Sequence, residues 1–305
     1  MTHAPSPEAR RSPPRPWAGV AASVGILALL LCVSSSAGAQ PQDPGAALRA
    51  RHDALADKLA SSPFRRPLHL ESTQEADKQR GEIFVEVAYP FALIKRSMQS
   101  ASQWCDILIL HLNVKRCRAE AAPAQTILSV SIGKKSEESA ADASKVDFVY
   151  RLADNSAQYF QVLMNAPAGP LGTRDYQIAL EAVPIDADRS FLHMSYSYGY
   201  GLAARLAMQA YLGTVGADKV GFSVVGRTAD GQPLLTHGVR GVVERNTMRY
   251  YLGIEAYLAS LALPAEEQAA RRIHDWFAAT EEFALQLHEL SASEYTQMKR
   301  REMQP

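Results

Sequence analysis

The stretch GEIFVEVAYPF, residues 81–91, opens the main domain of this chain. Its apolar residues Ile83, Val85 and Val87 recur at every second position, which is the period of a β-strand. Pro90 then begins the segment PFALIKRSMQSASQWCDIL, in which apolar residues recur at helical spacing. The sequence therefore predicts a strand that is followed directly by a helix.

Working outward from this stretch, a series of short strands follows the helix. The predicted strands are ILHLNVKRC, TILSVSIGKK, KVDFVYRL, QYFQVLMNA, DYQIALEAV and SFLHMSYSYGY. Polar or Gly/Pro-rich turns separate them, and turns at such short intervals favour antiparallel pairing. We therefore predict an α+β fold built on an antiparallel sheet.

Helical segments flank the predicted sheet on both sides. Residues 46–60 carry apolar side chains at helical spacing, and an extended lead connects them to the first strand. After the strands we predict a helix at 201–214 and a hairpin within 219–243 that turns at Asp230-Gly231. A helix at 245–263 follows, capped by Asn246 or Thr247. The chain then forms a last helix from Pro264 and ends in a frayed tail at 291–305.

This order of elements resembles the START/Bet v 1-like superfamily over residues 81–262. The resemblance implies a helix-grip fold, in which a curved antiparallel sheet grips a C-terminal helix and a cavity lies between them. A helix and a hairpin at 201–243 intervene, which leaves open which helix closes the cavity. The segments WCDILILHLNVKRC, GPLGTRDY and ERNTMRYY are similar to those of uncharacterised exported proteobacterial proteins, a family that implies no activity.

The first residues predict export. Arginines precede an uncharged apolar run at 18–33, and Ala37-Gly38-Ala39 fits the small-x-small pattern of a signal peptidase site. We expect cleavage near Ala39, a periplasmic or secreted protein, and no membrane span afterwards. We divide the chain into a signal peptide (1–39), an N-terminal helix with an extended lead (40–80), a helix-grip-like domain (81–262) and a C-terminal helical extension (263–305).

The charge and the cysteines of the chain after cleavage, residues 40–305, indicate which partners and bonds to expect. Without residues 1–39 it has 29 basic and 31 acidic residues, so nothing favours binding to nucleic acid. Two cysteines remain, Cys105 and Cys117, and in an exported protein such a pair favours a disulfide. The sequence has no CxxC, HxH or HExxH motif, and we expect neither a metal nor a cofactor.

A stripe of tyrosines marks the candidate site. Tyr196, Tyr198 and Tyr200 share one face of a strand, and Tyr150, Tyr159 and Tyr176 stand at alternating places in neighbouring segments. Two interpretations stay open. The phenols are structural cross-strand pairs, or they line a cavity for a partly polar ligand, because a phenol combines a large apolar face with one hydroxyl.

Charged residues supply the remaining candidates. Arg240, Arg245 and Arg249 cluster around Glu244 at the predicted start of a helix, where they either form ion pairs or hold an anionic head group. Glu255 lies further along that helix and is either a flank residue or a carboxylate that faces the cavity.

Three functions are compatible with these features. We favour a binding protein for a hydrophobic or amphipathic small molecule, such as a lipid, with Tyr150, Tyr196, Tyr198, Tyr200, Arg240, Arg245, Arg249 and Glu255 as its ligand-binding residues. An enzyme in the same cavity would use Tyr198, Glu255 and an arginine for acid–base catalysis. An envelope interaction module would dock through Trp276 and Phe277 on an unidentified protein partner. No serine-hydrolase, P-loop or dinucleotide motif is present to decide between them.

Overall fold

A computed structural model describes residues 43–123, 125–214 and 216–304 of the chain. The predicted signal peptide and its cleavage site near Ala39 lie outside the described residues. The described part forms one compact unit.

Eight strands form one fully antiparallel sheet, in the order β1-β2-β8-β7-β6-β5-β4-β3. Their bounds are β1 Leu68–Gln74, β2 Lys78–Val87, β3 Val114–Ala122, β4 Gln125–Ile132, β5 Ser144–Asn155, β6 Phe160–Ala168, β7 Thr173–Pro184 and β8 Ser190–Tyr200. Strand β1 belongs to the segment predicted as an extended lead, and it pairs with β2 as an edge strand of the sheet.

The helices are α1 Pro44–Ala60, α2 Phe91–Met98, α3 Ala101–Leu108, α4 Leu202–Leu212, α5 Gly238–Ser260, α6 Ala265–Glu281, α7 Ala284–Leu287 and α8 Ala292–Glu302. Among the described residues, no helix is both long and apolar enough to cross a membrane. The long helix α5 lies across the inner face of the sheet, against β1, β2 and β8. The chain therefore has the predicted α+β fold, in which a curved antiparallel sheet grips a C-terminal helix.

The two faces of the sheet have separate apolar cores. The inner face packs against α5 and the helices behind it in one large cluster of buried residues. The outer face carries α1, whose Leu48, Leu55 and Leu59 pack on Phe84 and Phe191. These three leucines recur at helical spacing, so one apolar stripe of α1 faces the sheet. Tyr159 belongs to this outer cluster, which separates it from the other tyrosines of the predicted phenol-rich face.

Helix α5 begins seven residues earlier than predicted, at Gly238 instead of 245. The run GVRGVV carries its valines at 239, 242 and 243, a spacing that fits the first turns of a helix. Within these turns, Gly241 packs close to the backbone of Gly221. Thr247 lies inside the helix, and its hydroxyl donates to the Val243 carbonyl one turn earlier. The predicted hairpin is correspondingly shorter, with β9 Val224–Arg227 and β10 Pro233–Leu235 around Gly231, whose φ is +83°.

The tail is a packed helix, which corrects the prediction that it frays. Ser291 and Glu294 form a capping box that starts α8. Tyr295, Met298 and Lys299 are buried, and Tyr295 stacks on Trp276 with ring centroids 4.8 Å apart. These three residues lie on one face of α8 and anchor the tail to the rest of the protein.

The disulfide is present and joins Cys105 of α3 to Cys117 of β3, with their Cα atoms 5.2 Å apart. It ties a helix on the inner side of the sheet to the edge strand at the opposite end from β1. The loop between these cysteines, residues 109–113, is thereby held at both of its ends.

Candidate functional site

A cavity of about 710 Å³ lies between the inner face of the sheet, α5 and α4. The sheet contributes Tyr176 of β7 and Tyr196, Tyr198 and Tyr200 of β8. Helix α5 contributes Asn246 and Tyr250, helix α4 contributes Ala204, Ala207, Met208 and Tyr211, and the loop after α3 contributes His111. The predicted tyrosine stripe is therefore a wall of the cavity.

Successive side chains of β8 point to opposite faces of the sheet, and this puts the tyrosines on the inner face. Tyr196 lies opposite Gly81 of β2, and Tyr198 lies opposite Gln79. Gly81 has no side chain, and this lets α5 approach the sheet closely at this point. The tyrosine rings next to it are buried beneath the helix. The small residues of the stripe, Ser195 and Ser197, point to the outer face.

The rings of the wall form a continuous aromatic array. Tyr176 stacks on Tyr198 with ring centroids 5.4 Å apart and an interplanar angle of 16°. Tyr196 lies 5.6 Å from Tyr198 and 5.2 Å from Tyr250 of α5. Tyr250 in turn stacks on the imidazole of His111 at 4.7 Å. Such pairs add to the stabilisation that burial of the rings already gives, and they make the wall rigid.

Only some of the phenol hydroxyls have protein partners. The Tyr176 hydroxyl donates to Thr173 Oγ1 at 2.9 Å, and the Tyr200 hydroxyl accepts from Gln79 Nε2 at 3.2 Å. Within the described part of the chain, the hydroxyls of Tyr196, Tyr198 and Tyr250 form no hydrogen bond. Burial raises the pKa of all three phenols, so they stay protonated and present neutral O–H groups.

His111 is the buried polar residue nearest this array. Its Nδ1 accepts the backbone N–H of Asn113 at 3.1 Å, and its own carbonyl accepts from Lys299 Nζ at 2.7 Å. Burial, followed by the charges of Arg249, Lys299 and Lys135, holds the pKa of the imidazole well below 6.5. The side chain of the neighbouring Asn246 opposes this shift without reversing it. His111 is therefore neutral.

Helix α4 covers the cavity and is apolar on two sides. Ala204, Ala207 and Met208 face inward as part of the lining. Leu202 and Leu206 are largely exposed on the outer side. Helix α4 is thus a short helix that packs on the protein mainly through its inner face. It corresponds to the helix predicted at 201–214, and it closes this side of the cavity.

The predicted arginines lie outside the cavity lining. Arg249 and Arg245 are each only 1% exposed, and Arg249 donates to Glu289 Oε1 at 2.9 Å. Arg240 lies 3.7 Å from Glu244 and donates to Ser72 Oγ at 2.7 Å. Arg245 donates to the Val220 carbonyl at 3.1 Å, so each of the three arginines has a partner within the protein.

Glu255 and Tyr150 also lie away from the lining. Glu255 is paired with Arg66 and accepts from the Tyr251 hydroxyl at 3.4 Å, and burial raises its pKa in spite of the arginine. The Tyr150 hydroxyl is buried without a protein partner among the described residues, and burial raises its pKa to about 12. Tyr198 and Glu255 are therefore not brought together as an acid–base pair.

Comparisons with known proteins give structural neighbours alone. No family model and no curated protein match the chain. Norcoclaurine synthase from Thalictrum flavum is 17% identical, with a TM-score of 0.32 over 48% of this chain and 82% of that one. The Zhui aromatase/cyclase from Streptomyces sp. R1128 is 13% identical, with a TM-score of 0.30 over 70% of this chain and 95% of that one. A conserved protein from Geobacillus kaustophilus is 18% identical, with a TM-score of 0.30 over 45% and 85%.

Identities and TM-scores of this size say nothing about a ligand or a reaction. The cavity, its aromatic wall and the helix across it are properties of this chain. Among the described residues, no three His, Cys, Asp or Glu side chains are grouped so as to hold a metal ion.

Sequence reasoning missed most polar residues of the lining, among them His111, Asn246 and Tyr250. Asn246 and Tyr250 are four residues apart on α5, a spacing that puts them on one face of a helix. Asn246 also fits the N-cap of a helix that begins at 245, and that assignment hides the shared face. His111 lies in a loop, and no local pattern indicates that such a loop reaches the cavity.

Proposed function

We propose that this chain is an exported binding protein that holds a hydrophobic or amphipathic small molecule in its tyrosine-lined cavity. The observation that carries the proposal is the combination of about 710 Å³ of space with an apolar aromatic wall and three phenol hydroxyls that have no hydrogen-bond partner among the described residues. Ligand sites of roughly 300–1,000 Å³ with a few placed polar groups are typical of small-molecule binding.

The cysteine pair supports the export part of this proposal. A disulfide between Cys105 and Cys117 is compatible with an oxidising compartment, and structural disulfides are rare in the cytosol. The signal-like sequence at 1–39 points in the same direction.

The structure gives less support to the two alternatives. The acid–base pair of the enzyme hypothesis would need Tyr198 and Glu255 together, but Glu255 is bound to Arg66 outside the lining. The interaction module would need Trp276 at the surface, but Trp276 is buried and donates its indole N–H to the Arg249 carbonyl at 3.0 Å.

Native mass spectrometry of the protein purified from the periplasm, followed by solvent extraction, tests the proposal. We expect an additional mass of a small molecule that solvent releases. The variant Ala207→Trp fills the cavity from α4 and should abolish this mass, whereas Ala210→Trp, on the exposed side of the same helix, should retain it.

A second measurement covers ligands that are lost during purification. The neutral fluorophore N-phenyl-1-naphthylamine should bind the wild type and Ala210→Trp with micromolar affinity, and Ala207→Trp much more weakly. Equal binding to both variants, or no bound mass together with no dye binding to the wild type, would overturn the proposal.

A further inference from the structure

One nitrogen of the cavity lining has an assigned proton and no acceptor. Nδ1 of His111 accepts the Asn113 backbone N–H, so its lone pair is directed at that donor. In a neutral imidazole the single ring proton must then be on Nε2. His111 therefore presents Nε2–H as a hydrogen-bond donor.

This donor is buried and unsatisfied. Nε2 of His111 is shielded from water and forms no hydrogen bond to any described residue, and His111 is one of the residues that line the cavity. The stacked ring of Tyr250 fixes the plane of the imidazole. An unmet buried donor costs about 1–3 kcal/mol, so an acceptor atom from a ligand would be favoured at this position.

The charges around His111 select the kind of acceptor. Glu289 is paired with both Lys135 and Arg249. On the other side, Glu302 is paired with both Lys115 and Lys299. Two carboxylates thus face four cations, and the excess positive charge favours an oxygen that carries negative charge and disfavours an ammonium group.

We propose that the His111 end of the cavity is a subsite for an acceptor oxygen, in which Nε2–H of His111 donates to a carbonyl or carboxylate oxygen of the ligand. The ligand class is therefore an apolar carboxylic acid or ketone, and an alkylammonium group is disfavoured. This inference rests on the proposed function, because it names the polar end of the molecule that the tyrosine wall holds.

Displacement of bound N-phenyl-1-naphthylamine by matched chains tests the inference. Dodecanoic acid and methyl undecyl ketone should displace the dye at concentrations about tenfold lower than dodecylamine, since one satisfied hydrogen bond corresponds to about that factor. In His111→Phe, which keeps an aromatic ring without the donor, the preference for acid and ketone should disappear. His274→Phe, at an exposed position, should leave it unchanged.

Nitrogen-15 NMR of the wild-type histidines gives a readout that needs no variant. We expect the His111 ring to be the neutral Nε2–H tautomer, and its Nε2–H proton to shift downfield on addition of dodecanoic acid. An Nδ1–H tautomer, or equal displacement of the dye by acid, ketone and amine, would overturn the subsite while leaving the binding function intact. Failure of the dye to bind, together with the absence of a bound mass, would instead overturn the proposed function.

Discussion

Thr247 of α5 lies directly above Gly81 of β2, where a methyl group on Gly81 would come within 2.2 Å of Thr247 Oγ1. This contact sets the distance between the gripped helix and the sheet. We expect Gly81→Ala to lift α5 and to lower the free energy of unfolding by about 1–3 kcal/mol, the usual cost of overpacking. Urea denaturation measures the change.

A matched glycine and a second substitution sharpen this test. Gly226→Ala, on β9, meets no atom closer than 3.6 Å and should change stability by less than about 0.5 kcal/mol. Thr247→Ala removes the clashing oxygen, so it should recover part of the loss in the Gly81→Ala background. Equal effects of the two glycine variants would contradict the close approach.

The arginines predicted to bind a ligand are expected to act on stability instead. Arg249→Met removes a buried cation from Glu289 and should cost about 3 kcal/mol. Arg240→Met, at a partly exposed pair, should cost about 1 kcal/mol or less. Urea denaturation and dye titration of both variants separate the roles. If the Arg249→Met protein is stable but no longer binds the dye, the result would support Arg249 as a ligand-binding residue.

Lys299 is expected to act as a support of the cavity. Its Nζ donates to the carbonyls of His111 and Val114 and to Glu302, and burial lowers its pKa to about 8 despite that carboxylate. Lys299→Met leaves these acceptors unmet and should destabilise the protein by about 2 kcal/mol or more. Thermal unfolding should show this loss, whereas Lys145→Met, at an exposed position, should show almost none.

His193 on the outer face predicts a pH dependence of stability. Burial disfavours its charge, but hydrogen bonds with Glu181 and Glu82 outweigh burial and raise its pKa above 6.5. The stabilisation is therefore complete below pH 6.5 and is lost as the pH rises through the raised pKa.

Comparing wild type with His193→Gln isolates this contribution. The difference in unfolding free energy between the two should be largest below pH 6.5 and should shrink as the pH increases. His274→Gln, with its exposed ring, serves as the control. A difference that grows with increasing pH would mean that His193 is buried in its neutral form.

The disulfide should contribute to stability by limiting the unfolded chain. The cysteines are 12 residues apart, and closing a loop of that size stabilises by about 3 kcal/mol. Replacing both cysteines with serine should lower the urea midpoint accordingly. A reductant should lower the wild-type midpoint to the same value and leave the variant unchanged; an unaffected wild type would contradict the assignment.

The parts of this architecture that follow from local alternation were predictable. The common face of the tyrosines on β8 depends on a two-residue period and on nothing distant, so it could be derived from residues 192–201. Turn spacing likewise predicted the antiparallel strands of the α+β fold, whereas the gripped helix was predicted from the resemblance to the START/Bet v 1-like superfamily.

The parts that depend on tertiary contacts were not predictable. Gly241 of α5 lies close to the backbone of Gly221, and no local pattern indicates this contact between residues 20 positions apart. The burial of α8 depends on acceptors that the loop after α3 offers to Lys299. The ligand-binding role of the arginines stays a prediction, and their position outside the cavity lining depends on such tertiary contacts as well.

The pairing of β2 with β8 has a consequence for how the chain reaches this structure. Gln79 and Tyr200 meet across this pair although they are 121 residues apart in the sequence. Closing so long a loop costs conformational entropy before the contact can stabilise the chain, and this makes folding slow. As the chain is synthesised, β2 can pair with β1 at once, but its other edge stays open until β8 has emerged. We therefore expect this open edge of β2 to be the place where a newly made chain mispairs, and the surface that a chaperone has to protect.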